Sequence, residues 1–328
     1  MKIALIADAL TSCCFNERYR ISPITPWNYR WMLRYGKPDI LFVESAWQGK
    51  RDRWKYKIAS YPDHPKRSNA ALRKVVAYAR DLGIPTVFWN KEDAVHFDRF
   101  IDSACLFDHI FTVDENCIPL YIAATKGRAT VATLPFAVER KLHYFRGFDF
   151  RIRGANFVGS YSRHIHTRRR AWQEMMFTAC RESGMPLTVY DRNSDRHSTN
   201  YRYPAHPGLI VSPAVPYTAT AEIYRQHFIS LNVNTVEDSP TMYSRRLVEI
   251  LACGGIAITN PSLAVSKYFH DFCHIVQDID DCQEIIKRLL QYGPSKRDKE
   301  RARAGAEEVE KRHSWDVRFE TIKTTVGL

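Results

Sequence analysis

Thr241-Met-Tyr-Ser-Arg-Arg-Leu-Val-Glu-Ile-Leu-Ala-Cys-Gly-Gly-Ile-Ala-Ile-Thr-Asn260 decides how the rest of this 328-residue chain is read. It parses as loop, helix, tight turn and strand. Ser244 stands where a helix N-cap belongs, and Leu247, Ile250 and Leu251 supply an apolar helical face. Gly254 and Gly255 end that helix, because glycine accepts the positive φ of a C-cap. Ile256-Ala-Ile258 then reads as a short buried strand. Arg245 and Arg246 fall in the first helical turn, where the macrodipole disfavours cations. Folding alone does not explain that placement, whereas an anion held at the helix N-terminus does. Glu249 lies one turn further on, on the same face as both arginines. An anion clamp followed by a hydroxyl-accepting carboxylate suits a nucleotide diphosphate and its ribose. An ordinary surface helix with an internal Arg–Glu pair fits the same pattern.

The length suggests two domains of ordinary size. With 45% hydrophobic and 26% charged residues, the chain is globular in composition and not disordered. A net charge of +12 favours an anionic partner without choosing among nucleotide sugar, phosphorylated acceptor, acidic membrane and nucleic acid. The eight cysteines are scattered with no C-x-x-C pair, so neither a zinc nor a redox framework follows, and a reducing cytosol is the simplest context. Met1 to Asp8 is too short an apolar run for a signal peptide, and nothing approaches a membrane span.

Ile3–Ala7, Pro38–Val43, Thr86–Trp89, His109–Val113 and Ala129–Ala132 read as strands alternating with helices over Asn69–Leu82 (capped by Ser68), onward from His96 through Cys105, and Ile118–Thr125. Thr11–Tyr35 reads as loop plus a short helix from Trp27, and Trp47–Pro65 as a long exposed loop. Val138–Arg153 reads as linker. A second series follows: strands Ala155–Val158, Leu187–Tyr190, Leu209–Val211, Ile229–Val233 and His274–Val276, with helices over Thr167–Ser183, Thr218–Gln226, Asp280–Gln291 and from Ser295 to the end. Asp191–Pro207 reads as polar loop. Alternation without hairpin signals means a parallel, doubly wound α/β sheet in each half. Ligands bind at the carboxyl ends of such strands.

The motif Ser244-Arg-Arg-Leu-Val-Glu-Ile-Leu-Ala-Cys-Gly-Gly255, followed by a short strand, resembles the donor-site signature of GT-B glycosyltransferases, closest to the CgeB-like (spore-maturation glycosyltransferase-like) group. Asp39–Gly49, Phe88–Asp93 and Phe107–Asp114 are similar to that group's N-terminal domain. Phe157–Tyr161, Pro216-Tyr217 and Ser230–Asn234 fit its donor domain. The resemblance implies two Rossmann-like domains facing each other. Residues 1–138 would form the acceptor domain, 139–153 the linker, 154–312 the donor domain, and 313–328 a C-terminal helix packing back on the first domain. It implies transfer of a sugar from a nucleotide-diphosphate sugar, UDP-sugar favoured, to an acceptor hydroxyl in glycan or cell-surface polysaccharide synthesis. No cofactor or metal is expected, since cationic side chains and helix dipoles offset the leaving diphosphate. Arg246 matches the family arginine three residues before the glutamate, and Glu249 would accept both ribose hydroxyls. Related retaining enzymes carry a second glutamate where this chain has Thr241, which leaves retention or inversion open.

Further candidates come from position. Arg163 follows a strand-end Gly-Ser and can reach a phosphate, whereas Arg168, Arg169 and Arg170 read as a solvated helix face. Tyr190 ends a strand, where it fits either base or sugar contact or the core. Pro216 and Tyr217 resemble the turn that reads a nucleobase edge, and a plain turn before a helix is the alternative. Asn234 and Ser244 complete the donor set. Glu44, Glu92, Asp93 and His96 follow strands at the acceptor edge. His96 reads as general base or as a structural histidine, and Glu92 and Asp93 as catalytic or as helix-start charges. His164 and His166 do not face together on a helix, and Asp278-Ile-Asp280 is better read as an N-cap than as a metal motif. The expected partners are the nucleotide sugar and a glycan, lipid-linked or protein acceptor, with peripheral contact to acidic membrane and a cytoplasmic location. An epimerase of the same fold and a sugar-nucleotide binder without turnover are alternatives. A basic nucleic-acid-binding protein is the alternative of another class, drawn from the aromatic–arginine runs Trp27–Arg34 and Trp47–Tyr56.

Overall fold

A computed structural model describes residues 1–205 and 207–328 and divides them into two units. Unit 1 holds Met1–Glu139, Ser239–Met242 and Asp316–Leu328; unit 2 holds Arg140–Asp238 and Tyr243–Trp315. In chain order, unit 1 contains β1 (Lys2–Ile6), α1 (Ala9–Asn16), β2 (Arg20–Pro23), α2 (Tyr29–Gly36), β3 (Ile40–Glu44), α3 (Ala70–Asp81), β4 (Thr86–Asn90), α4 (Phe97–Ala104), β5 (His109–Thr112), α5 (Ile118–Thr125) and β6 (Thr130–Thr133). Unit 2 contains β7 (Ile152–Gly159), α6 (Thr167–Glu182), β8 (Leu187–Asp191), β9 (Leu209–Ser212), α7 (Thr220–Gln226), β10 (His227–Asn232), α8 (Arg245–Ala252), β11 (Ala257–Thr259), α9 (Leu263–Tyr268), β12 (His274–Ile275), α10 (Ile279–Tyr292) and α11 (Lys296–Arg312). The last helix, α12 (Trp315–Val326), lies almost wholly in unit 1. Its Phe319 packs on Phe15 and Tyr19, and Arg318 Nε donates to the Pro135 carbonyl at 2.8 Å.

Each unit is a parallel six-stranded sheet flanked by helices, with orders β2-β1-β3-β4-β5-β6 and β12-β11-β10-β7-β8-β9. The central strands are short apolar runs such as ILFVE and TVFWN, buried along their whole length, as sheets covered on both faces require. Strand order reverses at β1/β3 in unit 1 and at β7/β10 in unit 2. Such a reversal splays the flanking loops apart and opens a crevice at the carboxyl ends. Among the described residues no helix is long and apolar enough to cross a membrane.

Several sequence expectations are corrected. Thr11–Tyr35 is not mainly loop, because α1 fills its first part and β2 pairs with β1 at the sheet edge. Only that pairing makes a strand of Arg-Ile-Ser-Pro, which is at best half-buried. Trp47–Pro65 is not an exposed loop. Trp54 is 1% exposed, with Ile58 and Ala59 buried beside it, and its indole Nε1 donates to the Ile24 carbonyl at 2.8 Å. Asn69, not Ser68, occupies the N-cap of α3, and its amide donates to Ser103 Oγ in place of capping. Ser244 has N-cap backbone geometry, but its side chain makes no cap bond. Residues 138–153 are not a loose linker, since Val138, Glu139 and His143 are buried and β7 starts at Ile152. Helix α9 had no counterpart in the sequence reading. Within the polar loop expected over Asp191–Pro207, residues 199–201 form a 3-10 turn, and His206 lies outside the described residues.

Trp54→Ala should cost about 3–5 kcal/mol of unfolding free energy, the range for deleting a buried aromatic. Trp27→Ala, which removes an exposed ring, should cost about 1 kcal/mol or less. Urea unfolding of the two variants checks the contrast.

Candidate functional site

In unit 2 the strand reversal places Gly159, at the end of β7, beside Asn232, at the end of β10. Helix α8 begins over that point, and buried amides fix it there. Asn234 Oδ1 accepts from the Ser244 N–H at 2.9 Å, its own N–H donates to Asn260 Oδ1 at 2.7 Å, and its Nδ2 donates to Thr259 Oγ1 at 3.0 Å. Asn234 is 1% exposed, so it holds the helix start in place and does not present a binding surface of its own.

Arg246 reaches from the first turn of α8 to β7. Its Nε donates to the Val158 carbonyl at 2.6 Å, and its guanidinium lies 4.2 Å from the centroid of the Phe157 ring. A Cβ at position 159 would come within 2.8 Å of Arg246 Nη2 and 2.5 Å of the Phe157 ring, so the approach requires glycine. Arg169 joins it from α6 and donates to the Ser160 carbonyl at 3.1 Å. Arg192 follows β8 with its N–H on the Gly159 carbonyl. Burial lowers the Arg246 pKa. Burial, then the Arg246 charge, pushes Arg169 down to about 10. Among the described residues none of these three arginines forms an ion pair. The Arg169 Nε and the Tyr203 hydroxyl nearby are buried without a partner. Three mutually repelling cations gathered at a strand end are an arrangement that favours an anion.

One turn along α8, Glu249 is 5% exposed. It accepts from the Tyr217 hydroxyl at 2.9 Å and from the Tyr224 hydroxyl at 3.4 Å. Two carboxylate oxygens offer about four acceptor directions, so capacity remains for ligand hydroxyls. Tyr217 packs on buried His143, whose Nε2 lies 2.8 Å from Thr220 Oγ1. Thr220 Oγ1 gives its own proton to the Tyr217 carbonyl, so His143 Nε2 is the donor of that pair.

The structure brings Arg246, Glu249, Tyr217, Asn234 and Ser244 together around α8. Arg245 is half-buried in the same first turn. Pro216 is exposed and heads the 3-10 turn that carries Tyr217. Tyr190 is half-buried and edge-on to His227. Arg163 is exposed, and its backbone is engaged by Asn200 and Arg170. The reading of Arg168–Arg170 as a solvated face is therefore corrected at Arg169. It is in phase with Gln173, Met176, Phe177 and Cys180, the inward stripe of α6. That periodicity was the signal that separates it from exposed Arg168. Arg192, Tyr203 and Tyr224 carried no local signal, because sheet topology alone assembles them.

In unit 1 the reversal gathers Asp8, Glu44, Lys91 and Glu92. Asp8 accepts backbone N–H bonds from Trp47, Gln48 and Gly49 at 2.7–3.2 Å and donates its own N–H to Glu44 Oε1. Burial raises the Glu44 pKa. Lys91 Nζ lies 2.6 Å from Glu92 and 3.8 Å from Asp8. Burial opposes the Lys91 charge, but these carboxylates outweigh it and raise its pKa. Burial would likewise raise Glu92, yet Lys91 holds it below its usual range. Burial lowers the His96 pKa, which leaves the imidazole neutral; its ring stands edge-on to Trp47 at 5.2 Å.

Two readings change here. Helix α4 starts at Phe97, so Glu92 and Asp93 are not first-turn helix charges. Asp93 is 0% exposed and accepts from Asn90, Thr112 and Tyr121 at 2.6–3.0 Å. With no exposed surface it braces the ends of β4, β5 and α5 and has no access to a substrate. Thr241 braces as well: its hydroxyl donates to the Val113 carbonyl and accepts from the Glu115 N–H. Asp278 caps α10 by accepting from the Asp281 N–H. Among the described residues no cluster has the makings of a metal site.

Residues 135–324 match a family model described as glycosyl transferase-like. Solved structures match across both units. An alpha-glucosyltransferase in complex with UDP and a 13-mer DNA is 12% identical, covering 100% of this chain and 99% of that chain, with a TM-score of 0.65. T4 phage BGT in complex with UDP and Mn2+ is 12% identical over 100% of both chains, with a TM-score of 0.60. Sucrose-phosphate synthase from Thermosynechococcus elongatus is 11% identical, covering 93% and 80%, with a TM-score of 0.52. At such identities the likeness shows the fold, which is GT-B. None of the curated proteins matches the sequence.

Burial pushes the Asp93 carboxyl up to about 7 against its three hydrogen-bond donors. Between about 3.9, its unfolded value, and that point the native state keeps a proton that the unfolded chain has lost. Its contribution to stability is therefore complete at low pH and is lost as pH rises towards 7, at up to about 1.4 kcal/mol per pH unit. Asp93→Asn does not titrate. Urea midpoints between acid and neutral pH should fall more steeply for the wild type than for the variant; parallel curves would mean that the buried group is ionised throughout.

Proposed function

The chain belongs to the glycosyl transferase-like family, and on that premise we propose that it transfers a hexose from a UDP-sugar to an acceptor hydroxyl without a metal ion. The observation that carries the donor side is the group Arg169, Arg192 and Arg246, with no ion pair among the described residues, its Arg246 one helical turn before Glu249. Arg246 and Arg169 would take the diphosphate, together with the N-terminus of α8. Glu249, oriented by Tyr217 and Tyr224, would accept the ribose hydroxyls. Pro216 and Tyr217 would border the base, and Tyr190 and Arg163 would lie at the margin of the site.

In the reaction the acceptor oxygen bonds to the anomeric carbon. The bond from that carbon to the β-phosphate oxygen breaks, and UDP leaves with the electron pair. The guanidiniums offset the charge that develops on the leaving group, which is the work a metal ion does elsewhere. On the acceptor side His96, whose lowered pKa keeps the imidazole neutral, is the proposed base for the acceptor proton. Lys91 makes Glu92 a poor base, and Glu92 serves instead to orient the imidazole. The motif resemblance supports a CgeB-like grouping within the family, a glycan, lipid-linked or protein acceptor, and a cytoplasmic site of action.

Thermal-shift titration tests the donor assignment, since a ligand that binds only the native state raises its melting temperature. UDP should produce a larger shift than GDP, ADP or CMP, equally with EDTA and with Mn2+. Arg246→Ala and Glu249→Ala should each weaken UDP binding by roughly tenfold to a hundredfold, the worth of a charge-assisted bond of about 1.5–3 kcal/mol. Normal UDP binding by both variants would sink the assignment. Arg169→Met should weaken UDP binding while raising the melting temperature of the ligand-free protein, because it removes an unneutralised, desolvated cation.

A further inference from the structure

Helix α2 has two sharply different faces. Tyr29 and Leu33 are buried against the core of unit 1, whereas Trp27, Trp31 and Tyr35 are 68%, 65% and 67% exposed. Trp31 and Tyr35 are four residues apart on α2 with ring centroids 6.1 Å apart, and Trp27 stands in the turn that leads into the helix. Arg30 and Arg34 are exposed between them. The segment beyond β3 extends this surface. The buried Trp54 indole ties it to the Ile24 carbonyl, and the Arg53 guanidinium lies 5.1 Å from the centroid of the Trp27 ring. Residues 27–37 carry three cations and no carboxylate; residues 50–67 carry seven cations against Asp52 and Asp63.

Neither the donor site nor the His96 cluster uses any of these side chains. Large exposed aromatics on one segment mark a contact surface. Trp and Tyr have an apolar body and a polar edge, which suits the headgroup level of a bilayer, and Lys and Arg beside them suit lipid phosphates. Exposed rings on the outer face of a short amphipathic helix and in the turn before it match an interfacial helix lying in the plane of a membrane. Strand-binding proteins, by contrast, stack bases inside a basic groove.

We propose that this face of unit 1 docks on an anionic lipid bilayer, with Trp27, Trp31 and Tyr35 entering the headgroup region and Arg30, Arg34 and Arg53 paired with lipid phosphates. None of these side chains is assigned to UDP, so docking does not depend on that assignment.

The test is co-sedimentation of the full chain with phosphatidylcholine vesicles, with and without a third of phosphatidylglycerol. The wild type should partition onto the anionic vesicles only, and less at high salt. Trp27→Ser/Trp31→Ser and Arg34→Glu/Arg53→Glu should each partition at least about tenfold more weakly. Both should keep the wild-type melting temperature and UDP-induced shift, so failure to dock is distinguished from misfolding and from failure of the donor reading. Equal partitioning by wild type and variants overturns the proposal, as does no partitioning at all. Binding to a single-stranded oligonucleotide that these variants abolish, without vesicle binding, overturns it in favour of a nucleic-acid partner.

Discussion

Arg246 crosses from α8 to the Val158 carbonyl on β7, directly under Gly159. That single reach fixes the geometry around the start of α8. It requires a strand order that reverses between β7 and β10, so that a helix N-terminus overlies a strand end. It requires no side chain at position 159. It requires the Asn234 amide network that holds the start of α8. Once these are met, a guanidinium is buried with no ion pair among the described residues, and Arg169 and Arg192 add to the positive charge beside it.

The two units share a topological principle and differ in charge balance. Both reversals bring polar groups to the carboxyl ends of their sheets. In unit 2, Arg169, Arg192 and Arg246 form no ion pair among the described residues. In unit 1 Lys91 sits among Asp8, Glu44 and Glu92, so that cation is met within the cluster. The unit 1 cluster fixes the positions of its neighbours, here the Trp47 loop through Asp8 and the neutral His96. Asp93 extends the same bracing inwards, holding β4 to β5 and α5 through hydrogen bonds that burial makes sensitive to protonation.

Thr241 shows how identical chain positions can serve different ends. The motif places it where related retaining enzymes carry a glutamate, yet its hydroxyl is occupied on both sides by backbone of unit 1. The chain passes from unit 2 into unit 1 for only Ser239–Met242 before returning to form α8. Ser239 and Thr241 are the pins of that visit, through Asp114 and Val113.

The sequence by itself determined the alternation of strands and helices, the parallel sheets and the Arg246–Glu249 pair, because short apolar runs and helical spacing are local properties. It also held the phase of Arg169 on α6, legible once the stripe of Gln173, Met176 and Cys180 is counted. Tertiary structure alone decided the rest. Arg-Ile-Ser-Pro becomes strand β2 only by pairing with β1, and the segment around Trp54 is buried only because Ile24 offers a carbonyl at the right place. Arg192, Tyr203 and Tyr224 come to the neighbourhood of Arg246 from distant strands and helices. Asp93 and Thr241, polar and placed at strand ends and loops, read as functional until their partners are seen. Hydrogen bonds between residues far apart in the chain leave no periodic trace, so what a polar side chain does depends on which neighbours the sheet order brings to it.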